Sequence, residues 1–254
     1  MYVCQLSFDC LQDVELGDAQ GAITQLLDEY RYNGQIIGRE FPVVLNDTRF
    51  EVIFVCPEQE SLAVANNNDE VNAALRQVSR QGLGLPTLEL KGLECQSDFT
   101  DVCTTPAALV VYSTYVQSCS PVRCLEHFSP VPLYHLPQQV RKPLIKWQES
   151  QAACDQLQMN ALVEIEQDTV AQLSSFESEL SEDGLALCRS VEQALSTPVY
   201  YYLYRVGGES FEAEAGRRCP SCGYDWRLAQ PLHELFDFKC DACRLVSNIS
   251  WDWQ

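Results

Sequence analysis

The amino-terminal end of the chain shows two successive hydrophobic patterns. Residues 2–8 carry apolar side chains at every second position, which is the period of a β-strand with one buried face. Residues 18–32 repeat apolar side chains at the spacing of an amphipathic helix, and Asp18 is of a residue type that caps helix starts. Asn33-Gly34 ends this second pattern. The sequence therefore predicts a strand followed by a helix.

A hairpin, a second helix and a further strand follow. Residues 41–45 and 49–56 are strand-like and are separated by a short polar turn. Asn68 is placed to cap a second amphipathic helix, and residues 87–91 alternate again. The resulting order, β-α-β-β-α-β, predicts a ferredoxin-like domain over residues 1–95. Because many unrelated functions use this topology, it names no activity by itself.

The next part of the chain, residues 96–208, combines short strands with longer, acidic helices and predicts a mixed α/β region. Its predicted elements are strands at residues 108–112, 131–136 and 199–206 and helices at residues 143–159 and 184–195. Together with a third domain at residues 209–254, this gives an α+β protein of three domains.

Charge narrows the classes of function that fit this fold. The 254 residues carry a formal net charge of -19, which repels phosphate backbones and anionic lipid. Residues 214–254 are nearly balanced, with five bases against six acids, so nucleic-acid contacts are expected only there. No run of 18 apolar residues predicts a membrane span, and the first residues do not resemble a signal peptide. We therefore expect a soluble, cytoplasmic protein.

Four of the 13 cysteines form a regular motif near the carboxyl terminus. Cys219 and Cys222 form one C-x2-C pair, Cys240 and Cys243 form another, and seventeen residues separate the pairs. This spacing is typical of a zinc site, and Gly223 permits the tight turn after the first pair. Four thiolates complete a tetrahedron, so we expect one structural Zn2+ in a zinc ribbon. The alternative is that these are four buried or redox-active cysteines.

Several stretches of this sequence resemble a known family. The stretches CPSCGYDWRL, PLHELFDFKCDACRLVSNIS, TPVYYYLYR and SPVRCLEHFSPVPLYHLP, all within residues 119–254, are similar to an uncharacterised bacterial family of zinc-ribbon-containing proteins for which nucleic-acid binding has been suggested. The resemblance implies that the four carboxyl-terminal cysteines bind zinc. It implies nucleic acid as a ligand, and it names no catalytic residue.

A less regular group of metal-binding residue types lies upstream. Cys124 and His127 have C-x2-H spacing, and Cys119 precedes them, so a second metal site is one interpretation. Cys95 or Cys103 could supply further ligands. The alternative is that these cysteines are small buried hydrophobic residues and that the histidine lies at the surface.

The basic and aromatic residues near the zinc motif also have two interpretations. They could contact phosphates and stack on bases, as in proteins that bind single strands. Alternatively, the basic side chains neutralise the charge of -2 that zinc with four thiolates carries, and the tryptophans form the ribbon core. The basic residues are Arg217, Arg218, Arg227, Lys239 and Arg244, and the tryptophans are Trp226, Trp251 and Trp253.

These patterns predict a non-catalytic zinc-ribbon binding protein that associates weakly with nucleic acid through its ribbon. The alternative function is a protein–protein adaptor whose acidic surface meets a basic partner. A third is an enzyme whose site lies in the middle region, although the sequence contains no P-loop, no G-x-S-x-G motif and no H-x3-H pair. No membrane partner is expected.

Overall fold

The computed structural model describes residues 1–116, 119–160, 165–250 and 252, which contain one four-stranded and one six-stranded sheet. The chain divides into two units. The N-terminal unit comprises Met1–Thr100, Ser118–Ser120 and Pro130–Lys142. The C-terminal unit comprises Asp101–Gln117, Pro121–Ser129 and Pro143–Gln254.

The N-terminal unit has the order of elements that the sequence predicts. Its elements are β1 (Tyr2–Asp9), α1 (Leu16–Tyr32), β2 (Val44–Asn46), β3 (Arg49–Cys56), α2 (Asp69–Arg80) and β4 (Thr87–Leu93). The sheet is antiparallel with strand order β2-β3-β1-β4. This is the β-α-β-β-α-β arrangement of a ferredoxin-like fold.

The two helices of this unit place aliphatic faces on the sheet. Ile23, Leu26 and Leu27 of α1 belong to one buried cluster with residues of β1 and β3. The cap of α2 is confirmed, since the amide of Val71 donates to Oδ1 of Asn68 at 2.9 Å. Asp18 is not a cap, because α1 begins two residues earlier at Leu16 and places Asp18 in its first turn.

The C-terminal unit is built on the six-stranded sheet. Its strands are β5 (Leu109–Val111), β6 (Val122–Cys124), β7 (Val199–Leu203), β8 (Arg227–Leu232), β9 (Phe236–Cys240) and β10 (Leu245–Ser247). The strand order is β6-β5-β7-β10-β9-β8, with β5, β7 and β10 parallel and the outer pairs antiparallel. The three strands of residues 227–247 therefore continue the sheet of the middle region. The division into three domains stays a prediction.

Four helices complete the description. They are α3 (Gln138–Met159), α4 (Glu166–Ser174), α5 (Glu179–Leu195) and α6 (Phe211–Ala215). None of the helices in the described part of the chain is long and apolar enough to cross a bilayer.

Three sequence predictions are corrected in this region. The strand predicted at residues 131–136 is a short 3-10 helix, Leu133–His135, because its prolines remove ladder hydrogen bonds. Pro143 does not start α3, which begins at Gln138 and contains it. The alternation of Ile249, Trp251 and Trp253 predicts the third ribbon strand there, but the third strand of the structure is β10; Trp251 and Trp253 lie outside the described residues.

One glycine explains how α5 packs on β7. A Cβ atom built on Gly184 would lie 2.2 Å from a ring carbon of Tyr201, and 2.8 Å from the indole nitrogen of Trp147. A helix usually disfavours glycine, but here the missing side chain lets two aromatic rings approach the backbone. Helix α5 therefore approaches β7 closely at this position.

Candidate metal centre

The first knuckle, Cys219–Cys222, is a tight loop just before β8. The amide of Cys219 donates to the carbonyl of Tyr224 at 3.0 Å, and the amide of Gly223 donates back to the carbonyl of Cys219 at 2.8 Å. Gly223 has a φ of 74°, a left-handed conformation that glycine adopts without strain. Backbone N–H groups of Ser221 and Cys222 point at Sγ of Cys219. The loop is therefore shaped to present two sulfur atoms on one side.

The second knuckle, Cys240–Cys243, connects β9 to β10. Cys240 and Leu245 are paired across the two antiparallel strands, so the loop between them is short. Arg244 follows the second cysteine with a φ of 55°, the same left-handed position that Gly223 has in the first knuckle. Two similar loops therefore face each other at one end of the hairpins.

The four cysteines of the two knuckles meet at one point. Their Sγ atoms all lie within 4.8 Å of one another. The Sγ atoms of Cys222 and Cys240 are 3.7 Å apart, far beyond the length of a disulfide bond, and all four thiols are free. Two sulfurs bound to one tetrahedral zinc ion lie about 3.8 Å apart, given a Zn–S bond of about 2.3 Å. The cluster therefore has the geometry to hold a metal ion.

The environment shifts the pKa values of three of the four thiols in different directions. Burial raises the pKa of Cys219 to about 12, although nearby backbone N–H groups oppose the change. The backbone N–H of Tyr224 lowers the pKa of Cys222 to about 7. Burial also raises the pKa of Cys243. A metal ion therefore meets one thiol that ionises near neutrality, Cys222, and displaces protons from Cys219 and Cys243 as it binds.

The basic residues around the centre are engaged with neighbouring acids. Arg217 contacts Glu214 at 3.0 Å and donates to the carbonyl of Asn248 at 2.7 Å. Arg218 lies 3.6 Å from Asp225. These contacts fit the interpretation that the basic side chains balance charge within the unit.

The two basic residues of the second knuckle follow the same rule. Lys239 forms an ion pair with Asp241. Arg244 lies 3.3 Å from Glu192 and donates to the carbonyl of Asp241 at 2.5 Å. Arg227 differs, because its guanidinium lies over the ring of Phe211 at 5.7 Å.

Trp226 belongs to the core of this region. Its side chain is 3% exposed, its ring lies 5.1 Å from that of Phe238, and its indole nitrogen donates to the carbonyl of Arg217 at 3.1 Å. A ring covered in this way is not available to stack on a base. Trp251 and Trp253, the other tryptophans considered for stacking, fall outside the described residues.

A second group of metal-binding residue types lies after β6. Cys124 and His127, which the sequence singles out, form a group with Asp101, and one ligand atom from each lies within 4.8 Å of the others. Cys119 is buried, and its thiol contacts the carbonyl of Ser120 at 3.4 Å. Asp101 is the residue that sequence reasoning missed, since it lies 23 positions before Cys124 with no motif spacing to mark it.

The remaining two histidines have other partners. His233 donates from Nε2 to the carbonyl of Leu125 at 2.6 Å. His135 lies 3.5 Å from Glu58 in the N-terminal unit. Neither belongs to the two groups of metal-binding residues found in the described part of the chain.

Comparison with protein families divides the chain into three matched segments. Residues 1–92 match a domain of unknown function (DUF8589), residues 103–204 match another (DUF2310), and residues 208–253 match a third (DUF8594). These descriptions name neither a ligand nor an activity.

Two relatives come from Haemophilus influenzae. One, an uncharacterised protein, is 46% identical over 242 residues, which cover 91% of this chain and 91% of the relative. The second, also uncharacterised, is 47% identical over 182 residues, which cover 69% of this chain and 87% of the relative.

Two solved structures show distant similarity to this chain. A Caulobacter crescentus protein provisionally described as an antibiotic biosynthesis monooxygenase is 12% identical and has a TM-score of 0.30, covering 36% of this chain and 89% of its own. Another antibiotic biosynthesis monooxygenase is 9% identical with a TM-score of 0.27, covering 36% of this chain and 98% of its own. At these TM-scores the similarity supports no conclusion about activity.

Proposed function

The chain belongs to the same family as the Haemophilus influenzae protein that is 46% identical to it, and we propose that it is a non-catalytic zinc-binding protein that recognises a protein partner. The four carboxyl-terminal cysteines are the zinc site of this proposal, and the strands around them are a zinc ribbon. Four thiolates fill the tetrahedral shell of zinc, which leaves no position for a substrate and gives the ion a structural role.

The observation that carries the zinc assignment is the meeting of four sulfur atoms on two similar knuckles. A tetrahedral set of four thiolates suits zinc, whereas magnesium and calcium prefer oxygen ligands. The N–H groups that point at Sγ of Cys219 support a bound thiolate. The proposal places the protein in a reducing compartment, the cytoplasm, because thiols stay available to a metal there.

Metal analysis of the full chain tests the zinc assignment. We expect Cys222→Ser to contain one zinc ion per chain less than the unchanged protein. Cys95→Ser is the matched control, since Cys95 is exposed and lies outside the quartet, and it should keep the full metal content. An unchanged zinc content in Cys222→Ser would overturn the assignment.

The distribution of charge supports a basic protein as the partner. Residues 165–188 contain six acidic residues and no basic residue. Asp168 of α4 and Glu182 and Asp183 of α5 are all exposed. We call these three exposed residues the acidic helical surface. Complementary charge speeds association and favours a partner of opposite sign.

Nucleic-acid association through the ribbon receives less support from the contacts. Arg217, Arg218, Lys239 and Arg244 each have an acidic neighbour within ion-pair distance. A phosphate would therefore replace a carboxylate that is already in place, and Trp226 is covered. We propose that these basic residues neutralise the ribbon and its zinc–thiolate centre.

Binding titrations with two defined probes distinguish the partners. The full chain is titrated with a lysine-rich peptide and with a single-stranded oligonucleotide at two salt concentrations. We expect the peptide to bind more tightly than the oligonucleotide. We expect the triple variant Asp168→Asn/Glu182→Gln/Asp183→Asn to bind the peptide about tenfold more weakly, which is about 1.4 kcal/mol of binding free energy.

The control variant changes the same number of charges elsewhere. Asp13→Asn/Glu40→Gln/Glu60→Gln neutralises three exposed acids of the N-terminal unit and should leave peptide affinity within twofold. Equal weakening in both variants would show an unspecific charge effect and contradict the acidic helical surface as the site. Tighter binding of the oligonucleotide would instead favour the nucleic-acid function.

A further inference from the structure

The loop after β6 repeats the backbone of the first knuckle. The amide of Cys124 donates to the carbonyl of Ser129 at 2.9 Å, and the amide of Phe128 donates back to the carbonyl of Cys124 at 2.9 Å. The corresponding distances in the first knuckle are 3.0 and 2.8 Å. Phe128 has a φ of 57°, the left-handed position that glycine takes in the first knuckle. Residues 124–129 therefore form a third knuckle, with Cys124 and His127 at its two ligand positions.

The sulfur of this third knuckle has the same N–H neighbours as a metal-binding thiolate of the first. Backbone N–H groups of Glu126 and His127 point at Sγ of Cys124. In the first knuckle the N–H groups two and three residues after Cys219 do the same. Cys124 is fully buried and Cys219 nearly so, so the two sulfur atoms have the same kind of surroundings.

The three ligand atoms are spaced as they would be around one ion. Nδ1 of His127 lies 3.6 Å from Sγ of Cys124 and 3.0 Å from Oδ1 of Asp101. Tetrahedral zinc would hold a sulfur and a nitrogen about 3.6 Å apart and a nitrogen and an oxygen about 3.4 Å apart, from its usual bond lengths. Only a few tenths of an ångström separate this arrangement from a bound one.

Asp101 supplies an independent reason to expect a cation. Its side chain is 3% exposed, and its Oδ2 atom is buried without a hydrogen-bond partner among the described residues. Leaving a buried carboxylate oxygen unsatisfied is costly, and native structures seldom do so without a ligand or an ion. The carboxylate also lies within 4.8 Å of Sγ of Cys124, so two groups that are anionic in a metal site face each other.

The surroundings hold the third knuckle in place. Arg123 donates to the carbonyl of Phe128 at 2.7 Å, and His233 donates to the carbonyl of Leu125 at 2.6 Å. The ring of Phe128 stacks on that of His233 with 5.1 Å between centroids. Ligands fixed by packing and hydrogen bonds are what a metal site needs before the ion arrives.

We propose that Asp101, Cys124 and His127 bind a second zinc ion. Sulfur, nitrogen and oxygen together suit zinc, and a thiolate with a carboxylate balances its charge. Among the described residues no fourth side chain joins the group, so a water molecule completes the tetrahedron. This site goes beyond the proposed function, because it is separate from the structural quartet and leaves one metal position to solvent.

A plain histidine–carboxylate pair explains less of the geometry. His135 and Glu58 form such a pair at 3.5 Å, with no cysteine in a metal-binding group beside them. The pair of His127 and Asp101 adds the knuckle backbone, the N–H groups that point at sulfur, and the unsatisfied oxygen of the carboxylate. The His135 pair therefore serves as the matched control.

Metal content of the full chain and its variants tests the second site. After loading with zinc and desalting, the unchanged protein should hold two zinc ions per chain. His127→Ala and Asp101→Asn should each hold one, while His135→Ala holds two. His127 is 54% exposed, so its variant avoids the folding risk of changing the buried Cys124. Cys222→Ser should lose the quartet's ion and keep the second, which separates this proposal from the proposed function.

Cobalt gives a second readout that depends on the number of thiolates. Co2+ bound by the quartet and Co2+ bound by the third knuckle both show sulfur-to-metal charge-transfer absorbance. The second equivalent should add about a quarter of the absorbance of the first, because it meets one thiolate instead of four. A single zinc ion in the unchanged protein, or two ions retained in His127→Ala, would overturn the second site.

Discussion

In the N-terminal unit two helices lay aliphatic faces on a four-stranded sheet, whereas in the C-terminal unit aromatic rings and cysteine knuckles surround a six-stranded one. The first core is made of residues such as Ile23, Leu26 and Val78. A core cluster of the second is made of residues such as Tyr202 and Phe236, with Phe128 packed against it. The N-terminal unit relies on burial of apolar area, and the C-terminal unit adds a cluster of cysteines that could hold a metal ion at the ends of its strands.

One chain therefore uses two kinds of folding information. A core of regular helices and strands is encoded by a periodic pattern of apolar residues, and many residues share in stabilising it. A metal centre is encoded by a few ligand residues at fixed spacing, and each ligand contributes a large part of the stability of the centre. Substitutions in each unit test whether the two units are stabilised independently.

Cys240→Ser should have the largest effect, because structural zinc contributes on the order of 10 kcal/mol to the folding of small modules. We expect hydrogen exchange to become fast in peptides from β8, β9 and β10. Peptides from β1 and β3 should keep their protection, since the buried cluster of the N-terminal unit contains none of the four cysteines. Loss of protection at residues 2–9 and 49–56 would show that the comparison between the units is wrong.

Leu26→Ala is the converse experiment in the N-terminal unit. Leu26 is fully buried, and removing its side chain leaves a cavity that costs about 3 kcal/mol. We expect exchange in β1 and β3 to speed up on the order of a hundredfold, with the zinc content unchanged. Leu16→Ala, at an exposed position of the same helix, should change exchange little. A lower zinc content in Leu26→Ala would contradict the separation.

Glu214→Gln tests a buried charge in the C-terminal unit. Burial acts to raise the pKa of Glu214, but Arg205 at 2.5 Å and Arg217 at 3.0 Å outweigh it, and the pKa is lowered overall. The neutral variant leaves two guanidinium groups uncompensated, so we expect a loss of about 3 kcal/mol at pH 7. Glu212→Gln, an exposed neighbour, should change stability by less than about 0.5 kcal/mol.

The stability difference between the unchanged protein and Glu214→Gln depends on pH with a definite sign. Because the folded-state pKa is below the ordinary value of 4.5, the stabilisation is complete above that pH and is lost as the pH falls through the folded-state value. Urea unfolding of both proteins at each pH should therefore show a constant difference from pH 7 to pH 5 that shrinks in more acidic solution. A difference that grows on acidification would refute the assigned charge state.

Asn68→Ala should have the smallest effect. The variant removes the acceptor of the amide of Val71 at the start of α2 and should cost about 1 kcal/mol. Asn68→Ser restores a capping oxygen and should recover most of the loss in urea unfolding. Zinc content should be the same in all three proteins, because the cap lies in the N-terminal unit.

The sequence predicts the N-terminal unit well because its information is local. The apolar stripes of α1 and α2 and the cap at Asn68 are complete within each segment. The errors concern element ends: α1 begins at Leu16, before Asp18, and the strand predicted at residues 41–45 is β2, Val44–Asn46. Helix boundaries depend on how the chain enters the helix, which residue type alone does not determine.

The C-terminal unit is predicted only in part because its information is not local. The C-x2-C spacing indicates the quartet, but that β10 pairs in parallel with β7 depends on contacts 44 residues apart, as between Val246 and Tyr202. Asp101 joins Cys124 and His127 through the fold and not through spacing. The basic residues show the same limit, since an ion pair such as Arg244 with Glu192 depends on tertiary structure.

The two outermost strands of the six-stranded sheet have a consequence for behaviour in a crowded cell. β6 is three residues long and ends in the third knuckle, and β8 contains Pro231, which has no N–H to offer a neighbouring chain. Short strands and proline at a sheet edge hinder the addition of foreign strands. If zinc became scarce and the hairpins opened, the segments around Phe238 and Val246 would lose this protection, and metal supply would then govern aggregation of the protein.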